Sequence, residues 1–85
     1  MILFMTVLTY GTFDLFHIGH LNLIKRAKTF GDKLIIGLST DNFNREKGKE
    51  SYFNFSERKY ILSSLKEVDL IIPENSWAQK KDDII

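Results

Sequence analysis

Two short apolar runs, one helix-length apart, constrain this chain more than any other feature. Residues 6–10 (TVLTY) and Lys33–Ser39 (KLIIGLS) are rich in β-branched, aromatic and aliphatic side chains, as buried strands are. Between them, across 18–30, Leu21, Ile24 and Ala27 recur at helical spacing, while Lys25, Arg26 and Lys28 fall elsewhere and toward the last turns. Gly31 is placed to end that helix. Strand, helix and strand within about 30 residues form a βαβ unit, with parallel strands and a right-handed crossover.

The rest of the chain extends the pattern. Asp41 is placed to cap a short helix running to Arg45, and 46–51 (EKGKES), without an apolar residue, reads as a loop. Ser56 reads as the N-cap of the next helix, with Phe55 and Tyr60 as a hydrophobic staple and Tyr60, Ile61 and Leu65 as its apolar face. Residues 70–72 form a third strand closed by Pro73, and Ser76 with Gln79 makes a capping box that opens a helix at Trp77. The order β-α-β-α-α-β-α predicts an α/β fold: a Rossmann-like parallel sheet with helices on both faces. Residues 1–85 read as one domain. Ile84 and Ile85 continue the last helix in phase, and three strands are few for a parallel sheet. The chain is therefore expected to be the front part of a longer domain that lacks its C-terminal strands.

Composition removes several classes. Twelve Lys+Arg against eleven Asp+Glu leave a net charge of +1, which argues against a nucleic-acid partner. No cysteine is present, so disulfides, thiolate metal sites and cysteine nucleophiles are out, in keeping with a reducing compartment. No apolar run approaches the roughly 20 residues of a membrane span, and the apolar lead of residues 1–5 is too short for a signal peptide.

Chemistry concentrates in 11–20 (GTFDLFHIGH), where the first strand hands over to the first helix. Parallel sheets bind ligands at this end of their strands. Gly11 permits a tight turn, Gly19 permits close backbone approach, and the amides and dipole of the helix start favour an anion. His17 and His20, the only histidines in the chain, are three apart and share a helix side, so they suit a phosphate clamp. The plainer reading makes them surface or capping residues. A transition-metal site is weighed below phosphate, because His-x-x-His gives only two ligands and Asp14 is the one nearby oxygen donor. Asp14 is read two ways, as a holder of hydrated magnesium or as a cap of the turn. Lys47-Gly48-Lys49 suits a mobile lid over phosphates, or else a solvated charge run. Arg58 opens a helix, where a cation opposes the dipole. Nucleotide pocket, subunit contact and plain surface all stay open for it. Trp77 and Lys80 can share a helix face.

Thr9 to Asp14 (TYGTFD) followed by His17-Ile18-Gly19-His20 resembles the signature of the cytidylyltransferase family, in particular its members acting on glycerol 3-phosphate in teichoic acid synthesis. The resemblance runs from about Thr6 to Ile85 and includes Lys47, Lys49, Arg58-Lys59, Ile72-Pro73-Glu74 and Trp77 with Lys80. It implies attack of the glycerol 3-phosphate oxygen on the α-phosphorus of CTP, giving CDP-glycerol and pyrophosphate. It implies CTP contacts from Thr12, Phe13, His17, Ile18, Gly19, His20 and Lys49. His17, His20 and Lys47 would be the catalytic groups, with Lys47 and Lys80 on the glycerol 3-phosphate side. It also implies magnesium carried with CTP, no metal site of the protein's own, a cytoplasmic homodimer, and CTP and glycerol 3-phosphate as partners. A later Arg-Thr-x-Gly-Ile-Ser-Thr-Thr segment typical of the family is not among these residues, and Lys66 stands where the family often has Arg. Two alternatives remain: another phosphomonoester acceptor such as phosphoethanolamine or a sugar phosphate, and an inactive, truncated nucleotide-binding or dimerisation module.

Overall fold

The structure, a computed structural model, describes residues 5–76. Three strands, β1 (Thr6–Gly11), β2 (Lys33–Ser39) and β3 (Leu70–Glu74), form one parallel sheet in the order β1-β2-β3. Three helices connect them: α1 (Ile18–Lys28), α2 (Asp41–Glu46) and α3 (Phe55–Ser63). The architecture is Rossmann-like.

Register explains where the core sits. Val7 pairs with Leu34, Thr9 with Ile36, and Ile36 with Ile71, so these side chains project from the same face. Leu34, Ile36 and Leu38 are fully buried there against Ile24 of α1 and Leu62 of α3, with Val7 and Ile71 packed alongside. A sheet that grows in one direction through crossovers of one hand places both helices on one face. The other face carries Leu8, Tyr10, Ile35 and Ile72.

Element boundaries differ from expectation in ways that have local causes. Helix α1 stops at Lys28, capped by Thr29, earlier than Gly31 suggests. Gly31 instead lies against the chain entering β1, where a Cβ would come within 2.7 Å of the Met5 carbonyl oxygen. Thr40, not Asp41, caps α2, its Oγ1 accepting the Phe43 N–H at 3.1 Å. Asn54, not Ser56, caps α3: Asn54 Oδ1 accepts the Glu57 N–H at 2.9 Å, and Glu57 Oε1 accepts the Asn54 N–H at 3.1 Å. The expected face of α3 shifts with it. Tyr60 is 81% exposed, so it staples nothing, and the inward residues are Arg58 and Leu62. Strand β3 runs through Pro73 to Glu74, which an edge strand tolerates because the missing N–H lies on its unpaired side. The helix expected at Trp77 lies outside the described residues. Among those described, no helix is long and apolar enough to cross a membrane.

Candidate phosphate-binding site

The turn between β1 and α1 is held in a costly conformation. Phe13 and Leu15 adopt left-handed backbone angles, with φ of 49° and 48°, at roughly 1–2 kcal/mol each for residues bearing a Cβ. Gly11 is not the left-handed residue. It clears space, since a Cβ there would lie 2.6 Å from the Phe13 ring, which folds back into the core.

The two histidines cap the helix that follows. Nδ1 of His17, the N-cap residue, accepts the Gly19 N–H at 3.0 Å. Nδ1 of His20 accepts the His17 N–H at 3.2 Å. A backbone amide only donates, so in each neutral ring the proton resides on Nε2, leaving an N–H donor free of the cap. The helix-end amides read from the sequence as direct anion donors are thus partly engaged by imidazoles. Gly19 makes room for this, because a Cβ would sit 2.7 Å from His17 Cε1. The rings stack with centroids 4.0 Å apart. His20 is further fixed by Phe13 edge-on and by Phe16, each at 5.5 Å. Burial and the neighbouring His17 hold the His20 pKa below the ordinary imidazole value, with Asp14 opposing.

A cleft of about 590 Å3 opens beside this turn, with Thr12, Phe13, Asp14, His20, Lys49 and Ser51 in its walls. Of the other residues expected at the site, His17, Ile18 and Gly19 are exposed rather than in the cleft wall. The Lys47 ammonium lies 4.6 Å from the centre of the Phe43 ring, outside that wall. Lys80 lies outside the described residues.

Beneath the cleft is a polar cluster. Arg58 faces neither solvent nor the cleft: its side chain is 0% exposed and donates four hydrogen bonds. Nε reaches the Phe53 carbonyl at 3.0 Å, and Nη1 reaches the carbonyls of Thr12 at 3.0 Å and Ser39 at 2.7 Å. Nη2 reaches Asp41 Oδ1 at 2.8 Å. Asp41, freed from capping α2, also accepts the Phe55 N–H at 3.1 Å. Burial opposes its charge, but that amide and Arg58 outweigh burial and hold its pKa below the usual range. Asn44, which sequence reasoning missed, accepts from Ser39 Oγ at 2.6 Å and Thr12 Oγ1 at 3.3 Å through its buried side-chain oxygen. Phe16 was missed as well. Asn44 joins Thr12 only through the fold, whereas Phe16 stands four residues before His20, a spacing that could have signalled the contact.

The donor set speaks against a resident metal on Asp14. Both of its oxygens accept backbone amides, from Tyr52 and Phe53. Burial opposes its charge, yet these bonds keep its pKa below the ordinary value. Among the described residues, no three imidazole or carboxylate groups converge on a common point for a metal ion.

Known proteins resemble this chain in sequence and in fold. The chain is 54% identical over 78 residues to glycerol-3-phosphate cytidylyltransferase of Staphylococcus aureus, spanning 92% of this chain and 59% of that protein. It is 53% identical over 79 residues to the protein of the same name from Bacillus subtilis, spanning 93% and 61%. The chain thus spans about three fifths of these curated relatives. Its fold superposes on a lipopolysaccharide core biosynthesis protein from Thermoplasma volcanium with a TM-score of 0.86 and 32% identity, over 95% of this chain and 66% of that one. The profile of the Cytidylyltransferase-like family matches residues 8–85, and the chain belongs to that family.

Proposed function

We propose that the chain carries the nucleotide-binding part of a transferase that moves CMP from CTP to glycerol 3-phosphate, releasing CDP-glycerol and pyrophosphate. A phosphate oxygen of the acceptor forms a bond to the α-phosphorus of CTP as the bond from that phosphorus to the pyrophosphate oxygen breaks. Negative charge is redistributed without a covalent enzyme intermediate, so the protein's task is to hold and stabilise it. The observation that carries the reading is the stacked histidine pair, each ring fixed through Nδ1 by a backbone amide so that Nε2–H is a preorganised donor. Lys49, in the cleft wall with His20, supplies a cation toward the CTP phosphates. Lys47 and Lys80 take the acceptor side. Magnesium arrives as part of the MgCTP substrate, held chiefly by the phosphates. The working form is a homodimer in the cytoplasm.

The test is pyrophosphate release with CTP and a panel of glycerol 3-phosphate, phosphoethanolamine and a sugar phosphate. Release with glycerol 3-phosphate alone is the expected result. Release with a different member of the panel moves the acceptor, and CTP binding without release with any of them favours the binding-module reading.

A further inference from the structure

The segment bearing Lys47 and Lys49 belongs to no described strand, and backbone contacts tie it to the body of the fold near each end, with a longer donation from Ser51 Oγ to Asp41 Oδ1 at 3.5 Å between them. Near its start the Lys49 N–H donates to the Asn44 carbonyl at 2.8 Å. At its far end, Asp14 accepts two consecutive amides: Tyr52 N–H on Oδ2 at 2.5 Å and Phe53 N–H on Oδ1 at 2.9 Å. Tyr52 is 78% exposed, so burial of its own ring does not hold it. Arg58 aligns both halves of the contact, binding the Phe53 carbonyl and the Thr12 carbonyl from one buried guanidinium.

We infer that Asp14 is a positioning residue whose carboxylate staples the base of the lysine segment to the histidine turn, setting where Lys49 stands relative to His20. A carboxylate accepts at both ends, whereas an amide side chain of the same shape accepts at only one. The use of Lys49 toward phosphates rests on the function proposed above, but the staple itself does not.

Backbone amide exchange followed by NMR on the chain without nucleotide tests this directly, in the parent, Asp14→Asn and Asp14→Ala. Asp14→Asn should speed exchange at Tyr52 or Phe53 by about tenfold, and Asp14→Ala at both, the scale of one lost charge-assisted bond. Trypsin cleavage after Lys49 should accelerate in parallel, while the amides of Ile36 and Leu38 stay protected as a check on the fold. Should Asp14→Ala not fold, the isosteric Asn variant carries the test. Unchanged exchange at Tyr52 and Phe53 in a folded variant overturns the staple. So does a variant whose sole defect is a shifted magnesium requirement, which would make Asp14 a metal ligand. A parent chain that fails to bind CTP refutes the proposed function and leaves the exchange result standing.

Discussion

Each end of the sheet is tied by an aspartate paired with a basic side chain, yet the two pairs differ in kind. At the amino-terminal end, Lys28 Nζ contacts Asp69 Oδ2 at 2.7 Å, the side chains 29% and 35% exposed. Asp69 also accepts the Leu34 N–H at 2.7 Å. At the carboxyl-terminal end, the Arg58–Asp41 contact is a similar 2.8 Å, but the guanidinium has left water and bonds four residues on three stretches of chain. Water screens the first pair and does not reach the guanidinium of the second. The end with the dry, multiply bonded cation is the end with left-handed backbone and stacked imidazoles. Strain persists where the surroundings over-determine it.

Substitution at either end can break this contrast. Arg58→Met should have the largest effect, about 3 kcal/mol lost in urea unfolding, because three carbonyls lose their donor together, while Asp41, 37% exposed, keeps the Phe55 amide. Loss of no more than an exposed pair is worth would make the two ends alike. Next is His17→Ala, where kcat should fall by about a factor of 10² with the unfolding midpoint changed far less, the scale for losing one preorganised donor. A normal kcat would remove His17 from the chemistry. Acid then sharpens the contrast through His20. Its folded pKa is depressed, so below about 6.5 the unfolded chain binds more protons and stability falls. The fall levels off below the folded pKa, where both states are protonated. His20→Asn, which keeps an acceptor for the His17 amide, should lack that segment of the stability–pH curve. The smallest effect belongs to Lys28→Met. Its urea midpoint should be close to the parent's at low salt and coincide with it at high salt, and persistence of a difference there would show that the amino-terminal pair is not screened.

The parts of the fold that depend on local pattern were legible. Strand β2 runs over the residues expected, because KLIIGLS is apolar throughout and ends at a polar cap. Helix α3 was misread by the same logic. Its inward stripe is Phe55, Arg58 and Leu62, and an arginine in that stripe hides the period from any count of apolar residues. One correction was available in the sequence: Glu57 stands three residues after Asn54 and can close a capping box, whereas Lys59, three after Ser56, has no acceptor to close one. That Thr12, His20 and Lys49 line one cleft agrees with the motif and the resemblance, whereas His17 lies outside that wall. The tautomers, the Asp14 bonds to Tyr52 and Phe53, and the role of Asn44 followed from neither. The Asp14 bonds and the Thr12–Asn44 bond join residues more than thirty apart, and the tautomers depend on ring rotation, neither of which spacing encodes.

Pro73 gives the sheet a direction of growth. A strand arriving beside β3 would find a donor missing at Pro73, one residue from the end of its template. The outer margin of β1 contains no proline, so its ladder of amides is complete. A further strand would therefore meet an uninterrupted row of amides beside β1, the strand that leads into the histidine turn, and an interrupted one beside β3.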